Sequence, residues 1–432
     1  MKKKKSVKGS IPELLAPAGN LEKLVTAVHY GADAVYLGGS RYSLRAKAGN
    51  FTDQTMAEAV AYAHDHRVRV YVTVNIFARH EDLADLPAYL EGLERLKVDG
   101  LIVADPGIFA LARQLLPEMP LHLSTQANVT NHAAAEYWFA QGAMRINLAR
   151  ELSLSEIKLI RDRVDKELEV FVHGALCISY SGRCFLSSYL TGRDANQGNC
   201  AHPCRFRYAL LEEKRPGQFY PVEEDQRGSY IFNAKDLCLL DSLPSLVAAG
   251  IDSVKIEGRM KSIFYVGAVV RVYRAALDYL AGLPESAWAH PEQISMPAGF
   301  REEILRIGTR GVSENFLHGP PGPAEMLYDS SRAVQEFEPV AVIRELGIPP
   351  LVEVRNTLLA GEAVEYMPRG TALQPVTVVA MRDAEGRELL RANPGNRLYL
   401  ETEPRLNEAE VHGILRRRRL DKTSLNESHK DA

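Results

Sequence analysis

The chain's capacity for chemistry is concentrated in its cysteines. Five occur in 432 residues, and four of them lie between positions 177 and 204, as Cys177-Ile-Ser-Tyr-Ser-Gly-Arg-Cys184 and Cys200-Ala-His-Pro-Cys204. Four thiolates gathered in this way can hold a structural zinc, an iron–sulfur cluster or two disulfides. Met1-Lys-Lys-Lys-Lys-Ser6 carries the charge of a leader without an apolar stretch behind it, and no apolar run reaches bilayer length. A cytoplasmic protein with no membrane contact is expected, and in that compartment disulfides are disfavoured. Cys200-x3-Cys204 fits a zinc knuckle, but Cys177-x6-Cys184 is too wide for one. The unequal spacings favour a [4Fe–4S] cluster over zinc. Cys238 stands apart on an expected helix, Leu237–Ala249, among leucines, and reads as a small core residue.

The elements that must position these thiols follow a repeated unit. Short apolar strands alternate with helical stretches at Glu13–Ala16, Ala34–Gly38, Val68–Asn75, Leu101–Asp105, Leu121–Thr125, Arg145–Ala149, Glu169–His173 and Ser253–Glu257. Several strands are entered through a glycine that ends the preceding helix, as at Gly31, Gly100, Gly142 and Gly250. The strands read as apolar on both faces, the pattern of a parallel sheet covered by helices. Eight such units predict an α/β fold, a (β/α)8 TIM-like barrel over residues 11–282, with the cysteine segment 177–238 inserted after strand seven. No Gly-x-Gly-x-x-Gly follows a strand, which argues against an open nucleotide-binding sheet.

In such a barrel the strand ends converge on the C-terminal mouth, where active sites sit. Those ends read Asn75, Asp105, Ser124-Thr-Gln126-Ala-Asn128, Arg150-Glu151, His173-Gly174 and Glu257-Gly-Arg259. Asp105 and Ser153 have the spacing of helix caps. Gln126, His173 and Glu257 are the catalytic candidates. Asn128, Arg45, Arg150 and Arg259, each at or after a strand end, are the candidates for substrate binding.

Beyond residue 282 the composition changes. Residues 283–336 are rich in proline and predict an irregular linker. Residues 337–418 carry six short alternating stretches, Val340–Ile343, Leu351–Arg355, Ala363–Tyr366, Val376–Ala380, Glu388–Arg391 and Leu398–Leu400, and predict a small β-barrel. Residues 1–10 and 419–432 read as flexible tails. Hydrophobic residues make up 46% and charged residues 25% of the chain, and its formal charge of −3 gives no global basic field. Nucleic-acid contact would therefore need local patches such as the N-terminal lysines or Arg416–Arg419, two runs that otherwise read as solubilising tails. Arg205 and Arg207, interleaved with Phe206 and Tyr208, have the composition of a stacking surface for unpaired bases, and equally that of a half-buried strand.

The segment Glu169-Val-Phe-Val-His-Gly174-Ala-Leu-Cys177-x4-Gly182-Arg-Cys184-Phe-Leu-Ser187 resembles the signature of the peptidase U32 family. So do Glu13-Leu-Leu-Ala-Pro-Ala-Gly-Asn20, Arg41-Tyr-Ser-Leu-Arg45 with Asn50-Phe51, His122–Asn128 and Lys255-Ile-Glu-Gly-Arg-Met-Lys261. The resemblance implies an oxygen-independent hydroxylase rather than a protease. Its cluster would be held by Cys177, Cys184, Cys200 and Cys204, and prephenate would serve as hydroxyl donor and co-substrate. The RNA-modifying branch is implied, with 5-hydroxyuridine at the tRNA wobble position as product. A 23S rRNA cytidine, a ubiquinone precursor or a peptide are the alternative substrates. The residues name no paralogous or electron-transfer partner protein. No His-Glu-x-x-His helix or Gly-x-Ser-x-Gly elbow is present to support proteolysis.

Overall fold

The computed structural model describes residues 10–44, 50–176, 184, 186–193, 195, 198–203, 209–211, 219–221, 233–308, 311–321, 326–327, 335–406 and 408–419. Seven parallel strands follow in chain order: β1 Glu13–Pro17, β2 Ala34–Gly38, β3 Arg69–Val74, β4 Gly100–Val103, β5 Leu121–Leu123, β6 Arg145–Asn147 and β7 Glu167–Gly174. An eighth, Ser253–Ile256, pairs with both β7 and β1 and closes the barrel. All eight fall where alternation placed them. Asp105 accepts the Ile108 N–H and Ser153 forms a capping box with Glu156, so both act as helix caps. Gly31, Gly142 and Gly250 end their helices with positive φ; before β4 that role belongs to Lys97 rather than Gly100.

The inner face of the barrel differs from the apolar reading. Glu13, Arg145, Glu169 and Lys255 are all buried there, joined by Arg145 Nη1 to Glu13 at 2.5 Å and Lys255 Nζ to Glu169 at 2.9 Å. Tyr71 donates to Glu13, and Asn147 donates to Glu169. Lys255 also lies 4.6 Å from the Tyr36 ring centre and 5.4 Å from that of Phe171. Two acids and two bases neutralise one another inside a barrel, and their partners come from strands far apart in sequence, which alternation cannot show.

Two further segments were read differently from the chain alone. Cys238 is not on a helix: Asp236–Cys238 is a strand, antiparallel to the end of β7, and the helix begins at Leu243. The stretch 283–336 is no irregular linker throughout. It holds the helix Ala298–Arg306, and Val312–Ser313 adds a strand beside Asp236–Leu237.

The C-terminal unit is a closed antiparallel barrel of Phe337–Glu345, Leu351–Val354, Arg397–Glu403, Gln374–Arg382, Ala363–Met367 and Ile414–Arg418. The stretch 388–391 is not one of its strands; Ile414–Arg418 takes that place and closes the barrel against Phe337–Val342. Arg416 is therefore neither tail nor surface patch. It is fully buried, binds Glu303 through both terminal nitrogens at 3.0 and 2.9 Å, and reaches Glu365 with Nε. Arg271, on the long helix Ile263–Gly282, meets the same Glu303 at 3.1 Å and donates to Gly370 O. Arg417 is likewise engaged, by Glu338 and Glu362. Tyr30 OH donates to Met367 O and accepts from Ile414 N, so the two barrels share one buried seam.

Candidate functional site at the barrel mouth

A continuous polar network crosses the C-terminal mouth. Arg259, three residues past the eighth strand, is only 4% exposed. Its Nη1 donates to Ser43 Oγ at 2.7 Å, Leu44 O at 3.0 Å and Thr73 Oγ1 at 3.1 Å, and its Nη2 donates to Asn50 Oδ1 at 2.6 Å. The backbone N–H of Leu44 then donates to Asn75 Oδ1, and Asn75 Nδ2 donates to Gln126 Oε1 at 2.7 Å. Ser124 supplies Gln126 Oε1 with a second donor at 3.1 Å. Arg259 thus scaffolds the mouth; its terminal nitrogens are engaged by the protein instead of standing open as a carboxylate fork.

Space for this arrangement comes from glycine. A Cβ on Gly38 would lie 2.3 Å from Ser43 Oγ and 2.4 Å from Arg259 Nη2. Gly174, at φ 113°, leaves room for the Glu257 carbonyl, which a Cβ would approach to 2.5 Å. Glu257 is half-buried beside the network, where its carboxylate accepts from Tyr36 OH at 3.1 Å. Asn128 has left-handed backbone at φ 55°; its Nδ2 donates to Gln126 O, and its buried Oδ1 meets no partner among the described residues. Arg150 donates to Ala175 O at 3.0 Å and lies 5.1 Å from the centre of the Phe171 ring, next to the start of the cysteine insertion. Beside it, burial pushes the Glu151 carboxyl above its ordinary range.

His173 is not part of this group. The register between β7 and the eighth strand shifts, so that Ile256 rather than Glu257 pairs with His173. Lys255 faces the barrel interior and Ile256 the surrounding helices, so the shift turns His173 outward with Ile256. Its ring packs between Tyr265 and Tyr273, with 1% of its surface exposed. Tyr273 OH donates to Val172 O, so at 3.4 Å it is an acceptor for His173 Nδ1. Burial lowers the imidazole pKa to about 4.

Of the clustered thiols, Cys184 and Cys200 are half-buried and free of disulfides. The Cys200 sulfur accepts the His202 N–H at 3.3 Å, an interaction that suits a thiolate ligand. The loop is braced to the helix Leu186–Thr191 by the fully buried Ser187, whose hydroxyl accepts from Ala201 N, and by Arg193, which donates to Asn199 O and Cys200 O. This donor set fits a sulfur-ligated cluster. Cys177, Cys204, Arg45, Arg205 and Arg207 lie outside the described residues, among which no three His, Cys, Asp or Glu side chains converge as a metal site. Cys238 is 3.8 Å from Tyr273 OH, and burial pushes its thiol pKa up, so it is a poor thiolate ligand.

The residues of the mouth that the chain alone did not single out are Tyr36, Ser43, Thr73 and Asn75. Asn75 stood among the polar strand ends; Tyr36 and Thr73 are visible only as inward positions of alternating strands. A cavity of about 1320 Å³ lies at the opposite end, between the strand starts (Glu13, Arg69, Arg145) and the second barrel (Arg369, Glu410, His412). It does not touch the mouth.

The fold and the mouth describe a TIM-barrel protein with a cysteine-rich insertion that follows strand β7. Residues 19–327 match the model of peptidase family U32, and the chain belongs to that family. It is 40% identical over 381 residues to tRNA hydroxylation protein P1 of Bacillus subtilis, a match covering 88% of each chain. It is 45% identical to an uncharacterized protease of Methanocaldococcus jannaschii, over 70% of this chain and 72% of that one. It is also 37% identical to the 23S rRNA 5-hydroxycytidine C2501 synthase of Escherichia coli, over 62% of this chain and 39% of that enzyme. No helix among the described residues is long and apolar enough to cross a membrane.

Proposed function

We propose that this protein is an oxygen-independent RNA hydroxylase that forms 5-hydroxyuridine in tRNA, with prephenate as the hydroxyl donor. The observation carrying this reading is end-to-end similarity to a tRNA hydroxylation protein, joined to a mouth lined with amide, hydroxyl and guanidinium groups. Such groups suit a nucleobase and a dicarboxylate. Cys177, Cys184, Cys200 and Cys204 would hold a [4Fe–4S] cluster, which when bound supplies one-electron redox chemistry at the mouth. Arg150, beside the insertion, and Arg45 are the candidates for the carboxylates of prephenate. Glu257 lies where it can hold a proton near the substrate. Arg259, through Ser43 and Leu44, keeps the amides in register. The peptidase reading loses His173 as a base, because that ring is enclosed by tyrosines.

The test is nucleoside mass spectrometry of tRNA from a deletion strain that also lacks any oxygen-dependent route to the modification. Derivatives of 5-hydroxyuridine should vanish and return with this gene. Unchanged levels would refute the tRNA reading and move weight to rRNA or quinone precursors. For the cluster, alanine at any of the four cysteines should abolish the visible iron–sulfur absorbance of anaerobically purified protein. Cys238→Ala should keep it; the reverse pattern overturns the assignment.

A further inference from the structure

The orientation of the Gln126 side-chain amide is fixed by a chain of hydrogen bonds that begins at the backbone. Leu44 N–H can only donate, so the Asn75 atom it meets at 3.2 Å is Oδ1. Asn75 Nδ2 must then face Gln126, and the Gln126 atom 2.7 Å away must be the acceptor Oε1. Ser124 Oγ reaches that same oxygen. Oε1 is therefore occupied by two donors, and Nε2 is turned away from both. Gln126 is 6% exposed, and no described residue accepts from its Nε2. Rotating the amide would set Nε2 against the Asn75 Nδ2 donor, so the protein presents a locked hydrogen-bond donor at the mouth. Arg259 holds Leu44 O and Ser43, which extends the lock back to the eighth strand.

We propose that Gln126 Nε2 reads the O4 carbonyl of a uracil base and thereby excludes cytosine. The proposal rests on the RNA-hydroxylase reading and names the residue that selects its substrate base. Uracil carries an acceptor at position 4, whereas cytosine carries an amino group there, which would meet Nε2 donor against donor. Position 4 adjoins C5, so a hydrogen bond to O4 also fixes the carbon to be hydroxylated relative to the mouth. A buried donor left facing a donor disfavours the wrong base by roughly 10- to 100-fold.

Gln126→Glu replaces Nε2 with oxygen while keeping an acceptor for Asn75 and Ser124. The full-length, cluster-loaded protein would be assayed with prephenate on two anticodon stem–loop RNAs that differ only in U or C at the target position. Wild type should favour uridine in kcat/KM by at least roughly 10-fold, and Gln126→Glu should move that ratio toward or below one, mainly by losing activity on uridine. Asn75→Asp keeps the acceptor for Leu44 N–H but removes the donor to Gln126, so it should also relax the ratio with Gln126 in place. An unchanged ratio in both variants, with cluster absorbance and melting temperature retained, overturns the proposal and leaves the RNA-hydroxylase reading standing. Wild type equally active on both RNAs does the same. Wild type inactive on either RNA overturns the RNA reading and this proposal together.

Discussion

His173 shows how one side chain's role depends on its surroundings. It precedes the cysteine insertion by four positions and lies at the end of a barrel strand, yet its ring belongs to the layer between the sheet and the helix Ile263–Gly282. With its pKa lowered to about 4 by burial, it is neutral in the folded protein near neutral pH, whereas the unfolded chain titrates near the ordinary value of 6.5. Between those two values the unfolded state binds more protons, so stability falls as pH drops from about 6.5 to about 4 and does not fall further on its account. The shift corresponds to ~3 kcal/mol. His173→Gln should lose about that much of the pH-dependent difference in urea-unfolding free energy across this window. It should also keep hydroxylase activity within about tenfold, since positioned acid–base groups contribute about 10²-fold or more. A 100-fold fall in kcat with the fold and the proposed cluster's absorbance retained would restore a chemical role.

At the scale of elements, the turn after the eighth strand is seated in a cradle that only glycine allows. Gly38 ends β2 where the guanidinium of Arg259 and the hydroxyl of Ser43 cross it. Gly38→Ala must displace one of them, and overpacking of this kind costs about 1–3 kcal/mol. The larger consequence is functional, because Arg259 sets Leu44, Leu44 sets Asn75, and Asn75 sets Gln126. Gly38→Ala is expected to fold with a melting temperature lowered by several degrees. Its kcat/KM should fall by at least about tenfold, the effect of losing a positioned interaction worth about 1.4 kcal/mol. Wild-type kinetics in a protein with an alanine there would show that the network does not position the substrate.

Across the whole molecule, the two barrels are joined by Glu303, which neutralises the fully buried Arg271 and Arg416. Removing the shared carboxylate leaves buried Arg271 without its acid and Arg416 with Glu365 alone, a change that costs about 3–5 kcal/mol. Glu303→Ala should lower stability by that amount in calorimetry and separate the unfolding of the two barrels. Asp85→Ala is the contrast: it breaks an exposed surface ion pair with Arg41, and its loss should leave the melting temperature almost unchanged. Equal effects of the two substitutions would refute the role of Glu303.

The sequence by itself determined the eight barrel strands, the caps at Asp105 and Ser153, the second β-rich unit and the clustering of cysteines. These are local properties, set by alternation, capping chemistry and spacing within a few residues. Only the tertiary structure decided which polar strand ends share the mouth. A register shift in one pairing sends His173 outward, while Gln126, Glu257 and Arg259 remain together. Arg416 reads as part of a basic run in the chain and becomes a fully buried charge of the seam, because its acids lie 113 and 51 residues away. The sixth strand of the second barrel escaped alternation for the same reason: Ile414–Arg418 ends in arginines whose burial depends on partners contributed from elsewhere. The direction of the Gln126 amide is likewise absent from its neighbours in sequence. It is fixed by a backbone N–H more than eighty positions away, through bonds that exist only once the barrel has closed.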